Sequence, residues 1–441
     1  MVELELLSCF NSVISEEQIQ KNIFNCPLLG NNGRITVFPK TEQEISEILH
    51  NANEHQIKVN IMGGGTKRGY GGVEDSADLL LSLEQYKGVV EHSPSDMMIT
   101  VKSGTTFKEL QMFLKKYNQK VPLDPAWPND ATIGGVVAAN DFGPKRLGYG
   151  SARDIVIGLQ MVYPDGTLIR TGGKTVKNVA GYDMNKLFIG SMGTLGVISE
   201  ITLKLRPLPK CESVILVFFP ENNFDDIQSF TCNLLDSVME PSALELFSPA
   251  LAEKLTGNHA YMLAIAFEDV ESSVRYQADF VKQNRPQKST ITILEQVKAH
   301  QFWDSAARIQ PNGRNEAAEA KTRAALKIGV KNLDVLKVVK ECHLHQDSLN
   351  LKVNAHGGLG HGLCKVDLTG AKEDVAAAID SLRIFTEKLG GYAVFTHLPL
   401  VLRQQINVWG EKPAYFFLLD GIKTKVDPNR ILNTGRFVGG I

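Results

Sequence analysis

The sequence predicts an α+β protein of more than one domain, on three observations. Glycines crowd between about residues 62 and 200, thin out, and return near 357–362 and at the C-terminus. From Ser213 to about Gln405, short apolar strands alternate with charged helical stretches, the pattern of helices layered on a mostly antiparallel sheet. Between these regions Pro207 and Pro209 close a strand pattern, which marks a boundary. A chain of 441 residues, 43% hydrophobic, has core enough for two or three such domains.

Residues 1–34 read as an N-terminal helical segment. The opening MVELELLSCFNSVISEEQIQ is acidic and amphipathic, without the basic start and apolar stretch of a signal peptide, so a cytoplasmic chain is expected. A helix follows over Thr41–Glu54, with Thr41 at the N-cap, Glu44 at the capping-box position, and Ile45 and Leu49 on one face. It leads into the alternating strand Ile57–Ile61 and directly into a glycine run. Strands come next at Leu79–Leu83 and Ile99–Val101, then an amphipathic helix near Phe107–Tyr117. Asp154–Arg170 reads as two strands joined by the turn Pro164–Asp165–Gly166, and Gly196–Leu205 as a further strand. In the second region the strands are Val214–Phe219, Tyr261–Phe267, Thr290–Leu294, Ala324–Val330, Leu349–Asn354, Cys364–Leu368 and Tyr392–Phe395. Helices lie at Glu271–Lys282, Leu333–His343 and Glu373–Leu389. The last thirty-odd residues end in DPNRILNTGRF, where Asp–Pro and Thr–Gly punctuate a short helix and a loop.

Composition removes several function classes. With 47 basic against 49 acidic side chains there is no general electrostatic case for nucleic acid. No apolar run approaches the roughly 20 residues that span a bilayer. Cys9, Cys26, Cys211, Cys232, Cys342 and Cys364 include no CxxC or CxxxC pair, so neither an iron–sulfur cluster nor structural zinc is expected.

Three stretches carry chemistry. Gly63–Gly64–Gly65–Thr66–Lys67 follows a strand, and bare glycines let main-chain N–H groups converge on a phosphate oxygen. Asp130–Ala131–Thr132–Ile133–Gly134–Gly135, running on to Asn140, places small residues where a ligand would lie against the backbone. Lys177–Asn178–Val179–Ala180–Gly181–Tyr182–Asp183, followed by Gly190–Ile198, is a glycine-rich loop feeding a strand. Taken singly, each also reads as a tight turn or as close helix packing. In this order they point to a nucleotide held through main-chain atoms.

GGGTK after a strand, then DATIGGVVAAN, then KNVAGYDMNKLFIGSMGTLGVI, resembles the FAD-binding PCMH-type domain of the vanillyl-alcohol oxidase family. The ending IKTKVDPNRILNTGRF is similar to the DPxxxLNPG-R close of its 2-hydroxyacid oxidase branch, which includes subunits of bacterial glycolate oxidase. The resemblance implies an FAD-binding domain of two α/β subdomains at residues 35–209. It implies a cap or substrate domain at 210–404, a mostly antiparallel sheet with helices on one face, and a segment 405–441 returning to the FAD domain. Gly63, Gly64, Gly65 and Thr66, with Lys67 beside them, would wrap the FAD pyrophosphate. Asp130, Thr132, Gly134, Gly135 and Asn140 would approach the pyrophosphate and flavin ring. Gly181, Asp183, Gly193 and Ile198 would lie around the ribose and adenine, and Asn433 and Arg436 would return to the isoalloxazine. The family tethers its flavin through a histidine just after the glycine loop, sometimes with a cysteine near the second motif. Thr66–Lys67 and the cysteine-free WPNDATIGG stand there instead, so noncovalent FAD is expected.

Relatives of this branch carry GHxGDGNxH and a later Glu–His pair, which hold a divalent metal and a proton-accepting histidine at the substrate. The matching stretch here, Ala355–Leu363, keeps His356 but has Leu359 and Leu363 where the aspartate and second histidine belong. Phe395–Thr396–His397 offers no carboxylate. No metal is therefore expected, although His356, His361 and His397 leave convergence open against the alternative of satisfied or exposed histidines. His343 and His345 sit on a charged helix and are expected in solvent. Lys327, Arg308 and Lys352 are either partners for a substrate carboxylate or ordinary surface charges. No catalytic residue is assigned; His356, His397 and Lys327 are the candidates. The resemblance implies an FAD-dependent subunit of a glycolate or 2-hydroxyacid oxidase complex, moving a hydride equivalent from the substrate α-carbon to the flavin. Its implied partners are a catalytic FAD sister subunit and an iron–sulfur subunit, with the membrane reached only through them. The rivals are a self-sufficient D-lactate or glycolate dehydrogenase and a non-catalytic flavin-binding scaffold.

Overall fold

A computed structural model describes residues 6, 9–22, 28–173, 182–219, 223–314 and 321–441. Its N-terminal part carries two main sheets and a two-stranded ribbon, Gln119–Lys120 with Arg206–Pro207. The first has the order Ile19–Lys21, Asn32–Val37, Ser76–Ser82, Val59–Met62, the last three parallel. Parallel neighbours need a crossover, and the helix Glu42–Glu54 supplies one, burying Ile45, Ile48, Leu49 and Ala52. Thr41 caps it by accepting from the Glu44 N–H at 3.1 Å. Glu44 turns back to the N–H of Lys40 at 2.7 Å rather than to that of Thr41, so the cap closes one residue further out than the spacing predicts.

The second sheet is antiparallel throughout, in the order Val89–Ser93, Met98–Lys102, Val197–Lys204, Val156–Val162, Leu168–Gly172. Against it packs the helix Phe107–Lys115, closed by a Thr106–Glu109 capping box. The start of the chain is not a separate helical segment. Leu6, Phe10 and Ile14 are buried in the core of the first sheet, and Ile19–Lys21 adds a strand to it.

The C-terminal part is one eight-stranded antiparallel sheet. Its order is Thr290–Glu295, Cys211–Phe219, Tyr261–Asp269, Ala243–Phe247, Lys352–Gly358, Leu363–Gly370, Thr322–Gly329, Tyr392–His397. The strand Ala243–Phe247 escapes pattern reading because all five residues are buried and nothing alternates. The helices Phe224–Leu235, Glu271–Asn284, Asp334–Ser348 and Lys372–Lys388 cover one face. Two more, Pro249–Thr256 and Val297–Ala306, pack on the outer half of the other face, a departure from the single helical layer expected. The rest of that second face meets the N-terminal part.

There a buried ion cluster joins the two parts. Lys145 reaches Glu212 at 2.7 Å and Glu268 at 2.6 Å, and Lys120 also pairs with Glu268. Burial would raise the Glu268 pKa, but the Lys145 and Lys120 ammoniums overcome it and hold the carboxyl at about 2. The C-terminal segment returns to the first sheet, where Val59 donates to Ile431 at 2.8 Å and Asn433 donates back to Val59 at 2.9 Å. Among the described residues no helix is long and apolar enough to cross a membrane.

Candidate functional site

Two cavities meet where the glycine loop, the helix Ile133–Ala139 and the large sheet come together. They share Thr66, Lys67 and Ala139 as a common wall. The first is an open cleft of about 880 Å³. Its floor is the turn after Val59–Met62. A Cβ on Gly63 would collide with Thr132 Oγ1 and one on Gly64 with the Asp130 carbonyl oxygen, so bare glycines let the loop lie flat on residues 130–132. Gly65 has φ +72° and turns the chain. Along this loop the N–H groups of Gly63 through Lys67 donate to no described residue. Main-chain donors are rarely left unmet away from bulk water, and a row of them facing a cavity fits an acceptor with several oxygens.

The opposite wall is the helix Ile133–Ala139, capped by Thr132, with Gly134 bare against Ser103. Asn433 braces a strand and a loop across the cleft: its Oδ1 accepts from the Ile61 N–H at 2.8 Å, and its Nδ2 donates to the Met192 carbonyl at 2.6 Å. Arg436 is buried, and among the described residues its guanidinium donates to the carbonyls of Tyr70, Ile61 and Lys67, at 3.3, 3.4 and 3.1 Å. Burial first, then repulsion from Arg68, pulls its pKa down to about 10, which still leaves it charged at neutral pH.

Of the residues expected around the cofactor, Gly63, Gly64, Gly65, Thr66, Lys67, Thr132, Gly134, Gly135, Gly193, Ile198, Asn433 and Arg436 line this cleft. Asp130 does not; its side chain accepts from Asn312 Nδ2 at 2.9 Å. Asn140 ends the helix in a left-handed conformation and faces the second cavity. Asp183 lies at the surface, 3.6 Å from Lys186, because a short carboxylate beside a lysine one turn away satisfies itself locally. Gly181 lies outside the described residues.

The second cavity, about 510 Å³, is walled by side chains. Lys67 meets Asp141 at 2.7 Å, and Lys365 stands 3.6 Å from the other oxygen of that carboxylate. Burial would raise the Asp141 pKa, but Lys67 and Lys365 together hold it well below the ordinary range. Lys327 faces the same cavity, and burial lowers its pKa. His397 lines it too, and its ring makes no hydrogen bond to any described residue. Burial, then the nearby Arg323 and Arg403, depress the His397 pKa to about 3, so the imidazole is neutral across the physiological range.

His356 is elsewhere. Its Nδ1 lies 2.5 Å from Glu245 Oε1, and its ring stacks on Phe247. His361 stands 3.9 Å from the second oxygen of Glu245. The three histidines therefore do not converge, and among the described residues no group of three or more His, Cys, Asp or Glu is placed to hold a metal. Arg308 and Lys352 are exposed, away from the cavity. His345 is buried, not solvated, and His343 meets the Tyr261 ring edge-on, since the helix bearing them packs on the sheet.

Asp141, Lys365 and the segment Ile309–Arg314 were not anticipated. That segment straps the glycine loop: Gly313 donates to the Thr66 carbonyl at 3.0 Å, and Trp127 Nε1 to the Gln310 carbonyl at 2.7 Å. Its only trace in the sequence is the turn signal Pro311–Asn312–Gly313.

Comparison with known proteins agrees with this architecture. Residues 34–172 match the family described as FAD binding domain. The glycolate oxidase subunit GlcD of Bacillus subtilis is 33% identical over 423 residues, 91% of this chain and 88% of that one. The chain belongs to the PCMH-type FAD-binding family. As a flavoprotein of that family it is an FAD-dependent oxidoreductase. The mitochondrial cytochrome-type D-lactate dehydrogenase of Arabidopsis thaliana is also 33% identical, but over 259 residues, 56% of this chain and less than half, 44%, of that relative. Among solved structures, p-cresol methylhydroxylase with substrate bound superposes at a TM-score of 0.75, covering 98% of this chain and 96% of that one at 16% identity, which speaks to fold alone. The first cleft fits FAD: the open N–H groups suit the pyrophosphate, and Arg436 is a buried cation with no carboxylate beside it.

Proposed function

We propose that this flavoprotein oxidises 2-hydroxyacids to 2-oxoacids with noncovalently held FAD, and that an iron–sulfur partner protein takes the electrons. One observation carries the reading. A cavity holding a cationic wall and a neutral histidine adjoins, across Thr66, Lys67 and Ala139, the cleft that fits FAD. The lysines attract and fix a carboxylate. His397, neutral and without another partner, accepts the hydroxyl proton as the C–O bond becomes C=O. FAD, when bound, supplies the two-electron acceptor for the hydride equivalent that leaves the α-carbon. The flanking Phe142 and Tyr70 narrow the cavity and limit water.

Among the described residues that line the first cleft there is no histidine or cysteine, which supports noncovalent attachment. The described cysteines are dispersed, so an iron–sulfur relay belongs to another chain. A base already in place favours a catalytic chain over a flavin-binding scaffold.

Anaerobic mixing of the purified protein with a panel of 2-hydroxyacids tests the proposal. At least one should bleach the flavin band. A flavin that dithionite reduces but no 2-hydroxyacid does would refute it. Acid denaturation should release all yellow colour into the supernatant; colour left on the polypeptide would overturn the noncovalent assignment.

A further inference from the structure

The second cavity is out of electrostatic balance. Lys67, Lys327 and Lys365 line it against a single carboxylate, Asp141. That carboxylate is already engaged, by Lys67 at 2.7 Å and by Lys365 at 3.6 Å. The Lys327 ammonium makes no hydrogen bond or ion pair with a described residue. In the sheet, Lys327 and Lys365 are direct cross-strand neighbours, so two ammoniums stand side by side on one face. Like charges directly opposite in a ladder repel. On that same face, the interface cluster sets Lys120 and Lys145 against Glu212 and Glu268, and its charges cancel. Imbalance is therefore specific to the cavity.

A second observation is independent of charge. The Gln310 Nε2 and Asn140 Oδ1 atoms are buried without a hydrogen-bond partner, and both residues line this cavity. Gln310 is only 9% exposed. Buried amides are normally satisfied, so these two atoms fit a polar ligand in the cavity they line.

We propose that the substrate carries two carboxylates: a short 2-hydroxydicarboxylate, with Lys327 selecting the second carboxylate. The inference rests on the reading of the chain as a 2-hydroxyacid oxidoreductase. Three ammoniums and one carboxylate leave an excess of two positive charges. The carboxylate of the hydroxyacid head offsets one, and a second carboxylate offsets the other. A monocarboxylate leaves Lys327 desolvated, sharing the one Asp141 carboxylate with Lys67 and Lys365.

Matched ligands on the FAD-loaded protein provide the test. Calorimetry with succinate and glutarate against butyrate and valerate should show the dicarboxylates binding about tenfold tighter or more, the scale of one charge-assisted contact. Dye-linked turnover of 2-hydroxyglutarate and malate should exceed that of lactate and 2-hydroxybutyrate in kcat/KM. In Lys327→Met the dicarboxylate-to-monocarboxylate ratio should fall about tenfold, and Lys327→Arg should retain it, with flavin content reporting folding in each. Equal or better use of monocarboxylates overturns this inference and leaves the oxidoreductase reading intact. Failure of every 2-hydroxyacid to bleach the flavin overturns both.

Discussion

The two cavities share a wall yet are built from different material. The first is made of main chain: bare glycines, a row of N–H groups without acceptors, and a strand and a loop held in register by the side chain of Asn433. The second is made of side chains drawn from distant parts of the chain, with Lys67 and Asp141 on one side and Lys327, Lys365 and His397 on the large sheet. A main-chain site tolerates loss of most single side chains but not addition of atoms. A side-chain site behaves in the opposite way.

The largest expected effect breaks the first cavity by adding atoms. Gly64→Val would drive its Cβ into the Asp130 carbonyl, so the flavin-to-protein ratio should fall to background. Because the collision is with protein and not with phosphate, the apoprotein should melt earlier as well, by about 1–3 kcal/mol of overpacking. Full occupancy in the variant would show that the loop can move aside.

Next comes the second cavity, broken by removing one group. His397→Gln should lower kcat, with roughly 10²–10⁴, the contribution of a base matched to the working pH, as the upper bound. The depressed pKa of about 3 also fixes a sign. The folded state takes up this proton less readily than the unfolded chain, whose histidine titrates near roughly 6.5. Stability from this group is therefore present above that pH and lost as pH falls towards the folded value. The acid limb of kcat/KM owing to His397 should accordingly lie well below the ordinary histidine range; a limb centred there, absent in the variant, would contradict the burial argument.

Smaller effects sharpen the contrast. Lys145→Met leaves Glu212 and Glu268 buried with fewer cations, and should cost about 3–5 kcal/mol in chemical denaturation while leaving substrate preference unchanged. Arg436→Met should weaken FAD binding by about tenfold to a hundredfold, the worth of hydrogen bonds to one charged group. Complete flavin loss in that variant would mean that side chains, and not the backbone, dominate the first cavity.

Much of the fold was legible because period and punctuation are local. The helix Glu42–Glu54 shows its cap and its apolar face within fourteen consecutive positions, and the predicted strands fall within a few residues of those observed. The strand Ala243–Phe247 was hidden because burial on both faces erases alternation. Asp183 misled for another reason: a motif places a residue near a ligand, but the side chain turned to Lys186.

By itself the sequence determined the glycine loops, their order and the bare backbone of the first cavity, since a missing Cβ is a property of the residue and needs no partner to be read. Only the tertiary structure decided the second cavity. Lys327 and Lys365 become neighbours through strand register, and His397 loses its proton through burial. Asp141 is claimed by lysines far away in sequence. Charge balance and solvation belong to the space between segments, and they take a value only once the segments are packed.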